Sequence, residues 1–123
     1  MDEETAKRMV RVLIETVMAC HKKGVVHRDL KPDNIMLATA NDPTNLILID
    51  FGYSREIDAD FFKTYVGTTS YIAPEIVRLA SYDKRVDIWS LGATFYAMFP
   101  LFLLFTLDSP PASPSAMART RPR

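Results

Sequence analysis

The sequence is poor in cysteine and histidine. Its single cysteine, Cys20, has no partner for an internal disulfide. One cysteine and two histidines leave no material for a metal cluster of the Cys/His kind. Neither sign of charge is in excess: 15 basic residues balance 15 acidic ones, so nothing points to nucleic acid or an anionic membrane as the main partner. A basic leader is missing as well. Asp2, Glu3 and Glu4 stand where a secretory signal would carry Lys or Arg, and no apolar stretch follows directly. With no signal peptide expected and so little cysteine, the composition fits a reducing compartment, and an intracellular, cytoplasmic location is the expectation. No internal repeat is present.

What remains is 123 residues, 48% of them hydrophobic, enough for one small domain or part of a larger one. Residues 2–22 read as an amphipathic helix, with Ala6, Val10, Leu13, Ile14 and Val17 on one face. The acidic start and Lys22-Lys23 at the far end suit the helix dipole, and Gly24 suits a left-handed stop. Cys20 falls within this helix as a small apolar residue. His21, at its end, reads as a surface or capping residue. Val25-Val26 forms a short extended run. Ile35-Met36-Leu37 and Leu46-Ile47-Leu48-Ile49, joined by a turn centred on Asn41-Asp42-Pro43, suggest a small antiparallel hairpin. Residues 53–72 show no sustained period. Ala73-Pro74-Glu75 leads into a short helical pattern through Ile76, Val77 and Leu79. Asp83 or a neighbour opens a last helix from about Val86 towards Phe99, where Pro100 should end or kink it. The fold class expected is mainly α with a small β-hairpin.

Residues 88–107 are apolar over about the length of a membrane span. Pro100 in the middle argues instead for a fully buried helix followed by an unrelated apolar run, and no membrane partner is expected. Phe99 to Leu107 has no evident core to enter and should promote association. From Ser109 the prolines, serines and arginines read as disordered.

The chemistry concentrates in His27-Arg28-Asp29-Leu30-Lys31-Pro32-Asp33-Asn34. An acid, a lysine and an amide fall within six positions of a loop. Such a set suits phosphoryl transfer: a carboxylate accepts the proton of an attacking hydroxyl, a cation steadies the moving group, and an amide oxygen holds a metal ion. The hairpin would bring Asn34 near Asp50, a plausible site for a hard cation such as magnesium. Taken alone, Lys31 reads better as a solvated charge, and His27 reads as a packed structural histidine.

This loop, then Asp50-Phe51-Gly52, Ala73-Pro74-Glu75 and Asp87-Ile88-Trp89-Ser90-Leu91-Gly92, resembles the eukaryotic protein kinases in order and spacing, over about residues 5–97. The general look is closest to serine/threonine kinases of the calcium/calmodulin-dependent kind. The resemblance implies a partial C-terminal lobe with Asp29 as catalytic base, Lys31 on the transferred phosphate, and Asn34 and Asp50 as ligands of Mg2+ bridging the phosphates of ATP. It places Met36 under the adenine and Thr68 as a bridge between Asp29 and Lys31. Arg28 would pair with a phosphate on Thr64, supplied by an upstream kinase. Asp87 would anchor the catalytic loop, His27 and Phe51 would stack, and Glu75 would pair with an arginine beyond the matching stretch. The implied substrate is a Ser or Thr hydroxyl on a protein.

The Gly-rich loop, the strand lysine and its glutamate partner expected of a kinase do not occur in these residues, and the expectation is that they belong to a lobe preceding Met1. Residues 98–123 depart from the family pattern and form the second of two regions, 1–97 and 98–123. Two other readings stay open beside the kinase segment: an inactive truncated lobe acting as a binding or regulatory module, and a fragment without independent function.

Overall fold

A computed structural model describes residues 2–40, 42, 44–56 and 62–99. The first helix, α1, is Glu3–Lys22. Asp2 caps it by accepting from the Thr5 backbone N–H at 2.8 Å and the Thr5 hydroxyl at 3.0 Å, which satisfies one of the free donors of the first turn. Ala6, Met9, Leu13 and Val17 are its buried stripe. Val10 is only half-buried and Ile14 is exposed, so the buried face is rotated towards Met9 from the one the apolar spacing suggests. Gly24, at φ +77°, turns the chain out of the helix.

Four short strands follow: β1 (Val25–Val26), β2 (Ile35–Leu37), β3 (Leu46–Leu48) and β4 (Arg55–Glu56). The hairpin of β2 and β3 pairs Ile35 with Leu48, Met36 with Ile47 and Leu37 with Leu46. A second antiparallel ladder pairs β1 with β4, inside the segment expected to be irregular. Two-residue strands carry no readable period, which is why the sequence conceals it. A 3-10 turn, Pro32–Asn34, leads into β2. The centre of the β2–β3 turn falls partly outside the described residues.

Two helices complete the described chain: α2 (Pro74–Val77) and α3 (Arg85–Met98). Asp83 helps to start α3, its carboxylate accepting from the Arg85 N–H at 2.8 Å. The helix stops one residue before Phe99, which precedes Pro100, as expected where proline excludes α geometry from its predecessor. α3 is not fully buried. Val86, Asp87, Ser90, Leu91 and Thr94 face inward, whereas Ile88, Trp89 and Tyr96 are 53%, 54% and 68% exposed. Apolar residues occur all round this helix, so composition alone could not say which side meets the core. Among the described residues no helix is long and apolar enough to cross a membrane.

The apolar side chains form three clusters. Leu13, Val17, Leu30, Leu48 and Leu91 join α1, the catalytic-type loop, the hairpin and α3. Val26, Ile72, Ala73, Ile76, Tyr82 and Val86 join the second ladder to α2 and α3. Ala6, Met9 and Phe99 form the third. Phe99 therefore does enter a core, contrary to expectation; the rest of the apolar run and the Pro/Ser tail lie outside the described residues.

Candidate active site

The loop from His27 to Asn34 runs through the interior: every residue from Val26 to Leu30 is buried, and so is Asn34. A polar segment at such depth needs partners for its backbone. Asp87, on α3 and 0% exposed, supplies them. Its carboxylate accepts from the His27 N–H at 2.9 Å and the Arg28 N–H at 2.8 Å. Its third partner is His21, whose Nε2 lies 2.8 Å from Oδ2. His21 is therefore neither a surface nor a capping residue; its side chain is 10% exposed and locked onto Asp87. Periodicity could not reveal this, because the partner is 66 residues away.

Arg28 sits at φ +67°, a left-handed conformation costly for a residue with a Cβ. Its N–H bond to Asp87 holds it there. The His27 ring bridges the loop to the hairpin: Nε2 donates to the Ile49 carbonyl at 3.1 Å, and Nδ1 accepts from the Asp29 N–H at 3.2 Å. These partners assign the ring hydrogen to Nε2. The Phe51 ring lies 4.7 Å from the His27 ring, tilted by 58°.

At the mouth of the loop three side chains meet. Lys31 Nζ donates to Thr68 Oγ1 at 2.8 Å, and Thr68 Oγ1 donates to Asp29 Oδ1 at 2.8 Å. Lys31 Nζ also lies 3.4 Å from Asp29 Oδ2. Thr68 is delivered by Gly67, at φ +105°, where a Cβ would come within 2.7 Å of the Arg28 carbonyl oxygen. Asn34 Nδ2 donates to the Asp29 carbonyl at 2.7 Å and to Asp29 Oδ2 at 3.1 Å. The Asp29 carboxylate is thus fixed by two hydrogen-bond donors, Thr68 and Asn34, with the Lys31 ammonium beside it.

With its amide nitrogen turned to Asp29, Asn34 has its side-chain oxygen left as an acceptor. The Ile49 N–H donates to the Asn34 carbonyl at 3.0 Å, so the residue before Asp50 is tied to Asn34. Asp50 itself is exposed at φ +58°, with one carboxylate oxygen accepting from the Gly52 N–H at 3.2 Å. An amide oxygen and a carboxylate are hard oxygen donors, suited to Mg2+. No group of three or more Asp, Glu, His or Cys able to hold a metal occurs among the described residues. Any ion here would draw on ligands from elsewhere, as a nucleotide-bound magnesium does through phosphate oxygens. Met36 is 53% exposed on the hairpin and offers an open apolar surface.

Arg28 is 4% exposed and has no carboxylate partner among the described residues. Its guanidinium donates to the Tyr53 carbonyl at 2.6 Å, to the Thr64 hydroxyl at 2.9 Å and to the Tyr82 hydroxyl at 3.1 Å, and it lies 5.1 Å from the Phe62 ring centroid. Tyr82 also donates to the Thr64 carbonyl at 2.7 Å. Tyr82 and Phe62 are site residues that sequence reasoning missed, and no local pattern marks them. Ser90 donates to the Tyr71 carbonyl at 2.8 Å and ties the segment after Thr68 to α3. Glu75 stands apart: it is half-buried and makes no side-chain hydrogen bond or ion pair among the described residues.

The sequence pattern of the protein kinase domain matches residues 1–119, which extends past the boundary at residue 97. The chain is 38% identical over 96 residues to "Calcium/calmodulin-dependent protein kinase type 1" of Caenorhabditis briggsae, covering 78% of this chain and 27% of the relative. It is 38% identical over 117 residues to "Serine/threonine-protein kinase cds1" of Schizosaccharomyces pombe, covering 89% and 25%. It is 42% identical over 94 residues to "Probable serine/threonine-protein kinase 2" of Plasmodium falciparum, covering 76% and 18%. The chain thus spans about a quarter or less of the length of the curated relatives it matches.

Proposed function

Because the chain belongs to the protein kinase family, among relatives named as serine/threonine kinases, we propose that it is the catalytic-loop and activation-segment portion of a C-terminal lobe. In the intact enzyme this portion transfers the γ-phosphate of Mg·ATP to a Ser or Thr hydroxyl on a protein. The observation that carries this reading is the Lys31–Thr68–Asp29 chain of hydrogen bonds.

Asp29 is the group that accepts the proton of the attacking hydroxyl. Asn34 and Thr68 fix its orientation, so little rearrangement is needed when the hydroxyl arrives. Lys31 places a cation beside the same carboxylate, where negative charge on a transferred group would gather. Asn34 and Asp50 would hold the magnesium ion through their oxygens, and Met36 would lie against the adenine. Bound Mg·ATP supplies the phosphoryl group and the charge neutralisation. Thr64 is the phosphorylation site for an upstream kinase. A phosphate on its hydroxyl would meet a guanidinium that already touches that oxygen, in place of the missing carboxylate.

The test is Mg·ATP-dependent phosphorylation of a Ser/Thr peptide by the native protein that contains this segment. Asp29→Asn should lower kcat by at least a hundredfold, the lower range for removal of a general base. Equal turnover in the variant refutes the assignment. A second reading, a kinase-derived binding module without transferase activity, is favoured by the exposed apolar pair Met36 and Ile47, which lie opposite each other on one face of the hairpin. Partner binding by a protein with no Mg·ATP turnover would support it.

A further inference from the structure

Tyr82 is the most deeply buried tyrosine of the chain, at 3% exposure. Its side chain belongs to the cluster of Val26, Ile72, Ile76 and Val86, and its ring lies 5.5 Å from that of Phe62. Its backbone exchanges two hydrogen bonds with Phe62, at 2.8 and 3.1 Å. A phenol held this firmly delivers its oxygen to one point, between Arg28 and Thr64. The hydroxyl donates to the Thr64 carbonyl at 2.7 Å and accepts from the Arg28 guanidinium at 3.1 Å. With the phenol proton committed to that carbonyl, the Thr64 hydroxyl, 3.3 Å away, is the donor of the two hydroxyls.

One stretch of chain therefore grips Arg28 at both ends. Asp87 accepts from its backbone N–H, and Tyr82, five residues earlier, accepts from its guanidinium. Every hydrogen-bond acceptor of that guanidinium among the described residues is neutral: the Tyr53 carbonyl and the hydroxyls of Thr64 and Tyr82. A buried cation keeps its place only while its donors are met. Three residues separate Thr64 from Thr68, whose hydroxyl reaches Asp29. Gly67, among those three, already lies against the Arg28 carbonyl. The segment has no slack, so a shift at Thr64 is passed to Thr68.

We propose that Tyr82 is a positioning residue that stands in for a phosphate on Thr64. Its hydroxyl holds Thr64 on Arg28 and so keeps Thr68 on Asp29 in the unphosphorylated chain. This rests on the reading of Thr64 as the phosphorylation site and of Asp29 as the base. Phosphate oxygens on Thr64 give the same guanidinium stronger, charge-assisted bonds. The phenol oxygen is then needed before phosphorylation and dispensable after it.

The test is Tyr82→Phe in the native protein that contains this segment, prepared with Thr64 either unmodified or introduced as phosphothreonine. The variant loses only the oxygen; the ring and the backbone bridge to Phe62 stay. Without phosphate, kcat on a Ser/Thr peptide should fall about tenfold or more, the scale expected when one buried donor loses its partner. With phosphothreonine, the variant should stay within about twofold of the phosphorylated parent. A merely structural role lowers both forms alike, and equal losses overturn the proposal. So does an unphosphorylated variant as active as its parent. Chymotrypsin cleavage after Tyr65, which lies between the two anchors and is 51% exposed, reads the same segment without turnover. The unphosphorylated variant should be cut faster than its parent by a similar factor, and phosphothreonine should restore the parent rate. Equal rates in the two unphosphorylated proteins, or a raised rate that phosphothreonine does not lower, overturn the proposal. A parent that turns over no peptide in either form, yet gives this cleavage pattern with its variant, refutes the transferase reading alone.

Discussion

Asp87→Asn is the perturbation that asks most of the structure. The carboxylate is fully buried and receives the His27 and Arg28 N–H groups together with His21 Nε2. The amide keeps one oxygen and must turn its NH2 towards at least one of these donors. Hydrogen bonds to a charged group contribute about 1.5–3 kcal/mol each, and a buried donor left without a partner costs about 1–3 kcal/mol. Losing one or two of the three gives an expected destabilisation of about 2–4 kcal/mol. The backbone effect adds to this, since Arg28 would lose the N–H bond that holds it at φ +67°. Asp87→Ala would remove all three acceptor contacts and approach the entire stability of a small domain, about 5–15 kcal/mol, so the Asn variant is the informative one. Urea unfolding followed by far-ultraviolet circular dichroism gives the difference, and amide exchange at His27 and Arg28 gives its location. His21→Ala, which removes only one partner, should cost about 1–2 kcal/mol and leave the two backbone amides protected. A loss below 1 kcal/mol for Asp87→Asn, with unchanged exchange at both amides, would refute the anchoring role.

Three further outcomes follow from other residues. Gly67→Ala forces a Cβ to within 2.7 Å of the Arg28 carbonyl and of Ile72 Cγ2 at a positive φ; it should destabilise by about 1–3 kcal/mol, measured by urea unfolding, and release Thr68 from Asp29, seen as lost protection of the Thr68 hydroxyl by nuclear magnetic resonance. The Asp2 carboxyl is held below its ordinary value of 3.8, first by the Thr5 N–H and then by the Thr5 hydroxyl. A lowered folded value stabilises fully above the ordinary value and is lost as pH falls through the lowered one; the protection factor of the Thr5 amide should therefore drop below about pH 4 in the parent chain and show no such step in Asp2→Asn. Burial, then the charge of Asp87, push the Cys20 thiol up, so its alkylation by iodoacetamide at pH 8 should be slower than that of free cysteine, and an equal rate would show that the thiol is more open than its position in α1 indicates.

The parts legible in the sequence are those where local pattern and tertiary need coincide. In α1 the acidic start and Gly24 act within the helix and the structure follows them, while the apolar stripe is followed only in part, its buried face being turned towards Met9. The hairpin shows because two apolar runs flank a turn. The pairing of Val25–Val26 with Arg55–Glu56 is hidden, since it is set by what lies around two residues and not by their order. The extent of burial in α3 is hidden for another reason: a helix apolar on every side gives no phase. At the site, the residue types of the loop announce phosphoryl chemistry, but Tyr82 and His21 join it only through contacts across 54 and 66 residues, and Phe62 only through its place beside Arg28. Those contacts exist only after folding.

The separation between the loop and its anchor has a consequence for the order of events during synthesis. His27 and Arg28 are made 60 and 59 residues before Asp87. At about 5–20 residues per second, a ribosome takes roughly 3–12 s to bridge that interval. Throughout it, α1 and the hairpin can form from nearby residues, while Val26 and Leu30 wait without the α3 side chains that bury them. The nascent chain therefore carries an unroofed apolar loop until α3 has emerged, and this is the interval in which a chaperone that grips short apolar stretches would find it.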